Sequence, residues 1–393
     1  MNYFDLEKNY ILQTYKRQKI VFTYGKGKYL WDDKGKKYLD FFSGLSVCNL
    51  GHSHPEIIKA VQNQIKKFFH TSNIYYIIPQ IELAKLIIEK SFKKGKVFFS
   101  NSGAESNECA IKLARKYGSK NGRFEIISFE NSFHGRTLAT LSATGQEKFH
   151  RGFTPLPPGF KYAKFNNIDS VKKLINKKTV AVIIEPVQGE GGVYPAEKNF
   201  LQQLREICNK NNLLLIFDEV QCGMGRTGKL FAYQYYEVEP DIITLAKSVA
   251  NGLPLGVTIV KEKYSRIFEP GDHGSTFGGN PVSCASAIET INQIDNPGFL
   301  KNVSELGRYF IQKFIELKNE FSEKIKEVRG LGLMVGLELF DKGSEIVEKC
   351  ANAKPIGVVI NCTQEKILRF LPPFIITKKD IDYVVKTLKK ILS

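Results

Sequence analysis

Residues 213–252 read LLLIFDEVQCGMGRTGKLFAYQYYEVEPDIITLAKSVANG, and this stretch decides the fold. Two apolar runs of strand length, LLLIF (213–217) and DIITLA (241–246), end on ionisable side chains: Asp218 and Glu219 after the first, Lys247 after the second. Near-continuous apolar runs, as opposed to alternating ones, belong to strands covered on both faces of a mainly parallel sheet. Four more short runs fit the pattern: VFFS (97–100), FEIISF (124–129), VAVIIEP (180–186) and GVTIV (256–260), with helices or loops between them. The chain is therefore read as α/β, with a mainly parallel central sheet and helices on both faces. Ligands of such sheets bind beyond the carboxyl ends of the strands, where these charged residues fall.

Outward from this centre the pattern changes twice. Residues 20–41 alternate apolar and polar around GKGK and DDKGKK turns, as a short antiparallel meander does. Helical spacing follows over 54–70 and 79–92, the second helix opening on Pro79, and Pro281 starts a long helix to Ile294. The last third predicts a helix at 300–320, a strand at 325–340, a helix at 343–352, strands VVINC (358–362) and ILRFL (367–371), and a helix at 377–392. The organisation expected is a large domain over 55–295 and a smaller α+β domain built from both termini, 1–54 and 296–393.

Composition narrows the function. The 393 residues are 42% hydrophobic and 25% charged, which excludes collagen-like and disordered classes. No apolar run reaches the roughly 18 residues of a membrane helix, and MNYFDLEKNYILQTYKRQKIVF (1–22) has no signal core; a cytoplasmic protein is expected. Seven cysteines, none spaced as CxxC, read as reduced thiols and not as disulfides or zinc ligands. His52 and His54 in GHSHP read as a turn, so no metal is expected. The net charge of +17 comes from scattered lysine pairs without interleaved aromatics, which fits a solvated surface or anionic metabolites better than nucleic acid.

Two nucleotide motifs fail on context. Gly223, Gly225 and Gly228 spell GxGxxG, but Asp218–Cys222 separate them from the strand and Pro240 comes too soon for a crossover helix. Gly223–Lys229 spell GxxxxGK, but a P-loop needs Ser or Thr next and this chain has Leu230. A P-loop nucleotide-binding protein is the different-class alternative, and Leu230 speaks against it.

A second constellation holds together. After the strand at 97–100 comes SNSGAESNE (100–108), where Ser102 suits a helix N-cap and Gly103 admits close backbone approach, as an anion cradle requires. A carboxylate such as Asp218 at a buried strand end is costly unless paired with a cation or a protonated ring nitrogen, and a desolvated lysine such as Lys247 becomes a nucleophilic amine. A phosphate cradle, an acid for a pyridine nitrogen and an amine for an aldehyde together describe pyridoxal 5'-phosphate.

Ordered blocks across nearly the whole chain also resemble one family, the class III pyridoxal-phosphate-dependent aminotransferases: SGAESNE (102–108), SFHGRT (132–137), EPVQGEGG (185–192), DEVQCGMGRTG (218–228), LAKSVANGLPLG (245–256), HGSTFGGNP (273–281) and VRGLGLMVGLE (328–338). TPLPPGFKYAKFN (154–166) makes the likeness greatest to the acetylornithine branch. The resemblance implies a fold-type I aminotransferase that moves the terminal amine of N-acetylornithine to 2-oxoglutarate in arginine biosynthesis. Ornithine, succinylornithine and 4-aminobutyrate are alternative donors. It implies Lys247 as Schiff-base and proton-shuttling residue and Asp218 on the pyridine nitrogen. Gly103 and Ala104 would sit on the phosphate, Phe133 on the ring, and Glu219, Val220 and Gln221 in the cofactor-binding block. Arg136, Glu190, Ser275 and Arg369 would meet substrate, Glu190 pairing with Arg369 for half of the cycle. Ser275 and Thr276 would come from the other subunit of a homodimer, Thr276 reaching the phosphate. Ser46 and Cys48 are expected in the substrate channel.

Overall fold

The computed structural model describes residues 2–393. Strands β1 (Phe22–Lys26), β2 (Tyr29–Asp32) and β3 (Lys37–Asp40) form the antiparallel meander that the alternation predicts. The central strands follow: β4 (Gly95–Ser100), β5 (Glu125–Phe129), β6 (Phe160–Ala163) and β7 (Thr179–Ile184), then a small ribbon of β8 (Val187–Gln188) and β9 (Tyr194–Pro195), then β10 (Leu214–Asp218), β11 (Ile242–Leu245) and β12 (Gly256–Lys261). Seven of them make one sheet in the order β4-β12-β11-β10-β7-β5-β6. All pairs are parallel except those of β12, which runs against both β4 and β11. Each predicted central strand is present. The edge strand β6 is the one the apolar runs did not reveal, because FKYA keeps Tyr162 exposed.

Both faces of the sheet are covered, which explains the unbroken apolar runs. Val182, Ile184, Leu215, Phe217, Ile243 and Leu245 enter one core. Their neighbours Ala181, Ile183, Leu214, Ile216 and Ile242 enter the other, against Ala110, Leu113 and Ala114 of the helix Gly103–Ser119.

The C-terminal third adds β13 (Ile325–Leu331), β14 (Met334–Leu339), β15 (Gly357–Val359), β16 (Asn361–Thr363) and β17 (Ile367–Phe370). The single strand expected over 325–340 is a hairpin, β13 pairing antiparallel with β14. Gly332 makes the turn at φ +57, and a Cβ there would sit 2.3 Å from the carbonyl oxygen of Arg226, so only glycine fits. VVINC likewise splits into β15, parallel to β3, and β16, which joins β17. The two ends of the chain thus share a sheet, β1-β2-β3-β15. Helices Pro55–Ile65, Ile78–Lys90, Pro281–Ile294, Pro297–Glu320, Ser344–Ala351 and Lys378–Leu392 lie where periodicity placed them, the first five residues shorter at its C-terminus. Among the described residues no helix is long and apolar enough to cross a membrane.

Candidate active site

The carboxyl ends of β4, β5, β7, β10 and β11 open into one cavity of about 550 Å³. Strand β10 delivers Asp218, which is buried. Its Oδ2 accepts hydrogen bonds from Asn107 Nδ2 (2.7 Å) and His134 Nδ1 (2.8 Å), and its Oδ1 accepts from the Val220 N–H (3.0 Å). A carboxylate only accepts, so Nδ1 of His134 carries the hydrogen. Asn107 is held in turn by the Thr244 hydroxyl on Oδ1 (2.7 Å).

β11 lies beside β10 with Thr244 opposite Asp218, and three residues on it presents Lys247. Lys247 opens a 3-10 turn at φ +48, a left-handed conformation that is strained for a long side chain. Burial, then the nearby Arg369, pulls its ammonium down to about 8, while Asp218, Glu185 and Glu190 act the other way. At that value about a tenth is the free amine near neutrality, roughly two orders of magnitude more than in an ordinary lysine, as a nucleophile requires.

From β4, Ser102 caps the helix Gly103–Ser119 by accepting from the Glu105 N–H at 3.2 Å. Gly103 and Ala104 line the cavity in the first turn, where helix N–H groups lack intrahelical acceptors. A Cβ on Gly103 would approach Val220 Cγ1 to 2.7 Å, so the missing side chain lets the helix reach the cavity wall. From β5 come Phe133 and Arg136, the guanidinium lying 4.1 Å from the centre of the Phe149 ring. From β7 comes Glu185, which accepts from the N–H groups of Phe133 (2.9 Å) and Gly189 (3.3 Å). Burial pushes Glu185 up to about 7, with His134 opposing and Asp218 adding.

Arg369 of β17 is buried, and burial holds it below its usual value. Its Nη2 lies 3.1 Å from Glu190 Oε2, its Nε donates to Asn361 Oδ1 (3.0 Å) and its Nη1 to Gln221 Oε1 (3.4 Å). Glu190 lines the cavity and Arg369 does not, so the carboxylate covers the cation.

A buried acid, a softened lysine and a helix N-terminus around one cavity match the expectation from the sequence, and comparison with known proteins agrees. The family Aminotransferase class-III matches residues 10–392. The chain belongs to that family. It is 51% identical to the acetylornithine aminotransferase of Methanocaldococcus jannaschii, covering 100% of this chain and 98% of that one. Among solved structures it is similar to N-acetylornithine aminotransferase from Stenotrophomonas maltophilia, with TM-score 0.84 and 33% identity over 98% of this chain and 97% of the other. It also resembles the ornithine aminotransferase of Toxoplasma gondii crystallised with oxidized glutathione, which has partial PLP occupancy at its active site, with TM-score 0.93 and 30% identity over 99% of this chain and 93% of that chain.

In this class-III aminotransferase the residues singled out from sequence mostly converge. Gly103, Ala104, Phe133, Arg136, Glu190, Asp218, Val220, Gln221 and Lys247 border the cavity. Glu219 does not: its carboxylate turns away and accepts from the N–H groups of Ala232 (2.5 Å) and Tyr233 (2.8 Å). It satisfies the start of the helix Ala232–Tyr236, a correction the alternation of a strand explains, since consecutive side chains point oppositely. Ser46 and Cys48 also miss the cavity, which their neighbours Leu45 and Val47 line. Ser275 and Thr276 lie outside this chain's own cavity; Ser275 Oγ accepts from Asn101 Nδ2 at 3.2 Å and Thr276 is exposed. Asn107, His134, Glu185 and Asn361 were missed. Asn107 had a signal, since four residues after Gly103 is one helical turn along the same face. Tyr15, which lines the mouth from an exposed segment, had none.

Proposed function

We propose that the protein transfers the terminal amino group of N-acetylornithine to 2-oxoglutarate, giving N-acetylglutamate semialdehyde and glutamate, in arginine biosynthesis. The cofactor is pyridoxal 5'-phosphate, and the residues present fit it. Gly103 and Ala104 offer N–H groups and the positive end of a helix dipole to the phosphate. Phe133 and Val220 offer apolar contact to the ring, Gln221 a polar contact at its edge, and Asp218 an acceptor for a protonated ring nitrogen. When bound, the cofactor supplies an electrophilic carbon and an electron sink. The protein supplies the rest. Asp218, braced by Asn107 and His134, keeps a negative charge where the ring nitrogen needs one. The amine of Lys247 holds the cofactor between turnovers and then carries the proton between the two carbons whose bonding changes. Arg136, at the mouth, takes a carboxylate of either substrate.

The observation that carries this reading is Arg369, a buried cation whose one carboxylate partner among the described residues, Glu190, lines the cavity and keeps 29% of its side chain exposed. Acetylornithine reacts at a carbon without a carboxylate, and glutamate at a carbon beside one. A site serving both needs a cation that can be covered and uncovered. Ornithine, succinylornithine and 4-aminobutyrate are competing donors. A panel of the four donors with 2-oxoglutarate should give the highest kcat/KM for acetylornithine, and a higher value for any other reassigns the donor.

The softened lysine gives a pH prediction. The neutral amine reacts with aldehydes and the ammonium does not. Below about 8 the rate at which apoenzyme captures pyridoxal phosphate should therefore rise with pH, and above about 8 it should level. A lysine at the ordinary value of about 10.4 would keep gaining through pH 10. Stopped-flow absorbance from pH 6 to 10 reads the difference, and a continuous rise would show that Lys247 is not softened.

We further propose a cytoplasmic homodimer with shared active sites, in which Thr276 serves the partner's phosphate. Exposed Phe69, Tyr75 and Tyr76 together with Phe277, next to Thr276, support such an interface, and seven unpaired cysteines support a reducing compartment. The partners are small-molecule substrates, with no nucleic acid and no membrane. The division into 1–54, 55–295 and 296–393 is proposed on the same grounds as before, now supported by the β3–β15 pairing of the two termini.

A further inference from the structure

The Gly223–Gly228 loop, whose glycines spell nucleotide motifs, contributes no residue to the cavity lining. Gly225 and Gly228 take φ +90 and +87, and between them Arg226 is wholly buried. Among the described residues no carboxylate lies within ion-pairing distance of Arg226. Its Nε donates to Ser46 Oγ (3.0 Å), its Nη1 to the carbonyls of Leu333 (2.9 Å) and Pro372 (2.6 Å), and its Nη2 to Asn49 Oδ1. The guanidinium lies over the Phe374 ring at 4.6 Å. Burying an unpaired cation is expensive, and apolar packing would brace the same elements at less cost. What a planar fork does that a hydrocarbon cannot is fix the direction of each acceptor.

The acceptor that connects to the site, through the Gln221 carbonyl and not by lining the cavity, is Ser46. It ends a run of four residues, Ser43, Gly44, Leu45 and Ser46, at φ +51, +62, +75 and +63. Three of these are not glycine, so the turn is strained and persists only where its surroundings hold it. Asp40 holds one end, its Oδ1 accepting from the N–H groups of Phe42 and Ser43, both at 2.8 Å. At the other end Ser46 Oγ accepts from Arg226 and donates to the Gln221 carbonyl at 3.2 Å. Leu45 and Gln221 both line the cavity, and Gln221 Oε1 receives Arg369 Nη1.

We propose that Arg226 is a positioning residue of the active site: through the Ser46 hydroxyl it holds the left-handed turn 43–46 against Gln221, and so sets how Leu45 and the Arg369 guanidinium face a ligand. The proposal rests on the reading of Arg369 as a carboxylate receiver. Glutarate, a dicarboxylate without an amine, is the probe, titrated into holoenzyme by calorimetry with a thermal melt alongside. Arg226→Met keeps the volume and removes the fork. Ser46→Ala removes one hydroxyl only, and serves where Arg226→Met does not fold. Each variant should weaken glutarate about five- to tenfold, the worth of one hydrogen bond. The double variant should be no worse than Arg226→Met alone, because both act through one chain of contacts. A lower melting temperature with unchanged glutarate affinity would make Arg226 a brace and overturn the proposal. Wild-type holoenzyme that does not bind glutarate at all would overturn the reading of Arg369 and the proposal with it, whereas an effect missing only from the variants overturns the proposal alone.

Discussion

Lys247→Ala should lower turnover by at least about 10⁴-fold while leaving pyridoxal phosphate bound, because the group that attacks and the group that moves the proton are the same amine. The variant keeps the first turn of the helix Gly103–Ser119 and the Asp218–His134–Asn107 cluster, none of which depends on Lys247 for a hydrogen bond. Truncation removes a charge that burial already disfavours, so the fold loses little. Cofactor should therefore dialyse out of the variant faster than from wild type, yet still bind measurably through phosphate and ring. Borohydride treatment of the wild-type holoenzyme, followed by peptide mapping, should leave the pyridoxyl group on the peptide carrying Lys247. Label on another lysine, or a variant that retains more than about a hundredth of wild-type turnover, removes Lys247 from its role.

Much of this site was legible in sequence because its chemistry sits at the ends of strands. LLLIF and DIITLA are buried on both faces, so they read as uninterrupted apolar runs, and the first polar residues after them had to fall at the carboxyl edge of the sheet. Asp218 and Lys247 follow from that alone. Their partners do not. His134 and Asn107 reach Asp218 from other elements, 84 and 111 residues away, and although helical spacing puts Asn107 on the face of Gly103, no local pattern pairs either side chain with Asp218. Glu219 went the other way: sequence placed it with Asp218, and the pleat turned it to the opposite side. The hairpin at 325–339 reads as one strand because only Gly332 and Leu333 separate its arms, IKEVRGL and MVGLEL, and the turn rests on Gly332 meeting a backbone oxygen from a distant loop. Tertiary contact decided each of these, and hydrophobic pattern does not encode it.

Glu190→Ala should shift the ratio of the two half-reaction rates by about 100-fold, toward glutamate, if Glu190 is a movable cover over Arg369. The geometry argues for movement. Arg369 has three holds, Asn361 on Nε, Gln221 on Nη1 and Glu190 on Nη2, so losing the third leaves the guanidinium in place and aimed. Glu190 is the less buried member of the pair, with its main-chain carbonyl held by the Thr363 hydroxyl (2.7 Å) and Gln364 Nε2 (2.9 Å) while its carboxylate borders the cavity. Its backbone is thus anchored, while its carboxylate has only the Arg369 pair and a longer contact from the same Thr363 hydroxyl (3.2 Å), so the side chain is the less constrained part. A charge-assisted pair of this kind contributes on the order of 1.5–3 kcal/mol, which converts to roughly 10- to 150-fold in preference. Removing it leaves Arg369 open to the α-carboxylate of glutamate, so that half-reaction is spared or faster. The acetylornithine half-reaction slows, because an uncovered cation now faces a reacting carbon that bears no carboxylate, and ornithine gains a route through its free α-amine. A permanent brace predicts something else: both half-reactions fall together and the melting temperature falls with them. Single-turnover decay of the holoenzyme's visible absorbance, with glutamate and with acetylornithine in turn, separates the two. Equal slowing with both donors leaves Glu190 as scaffold, and a reversed preference confined to the variant makes it the residue that lets one cavity serve two unlike amines.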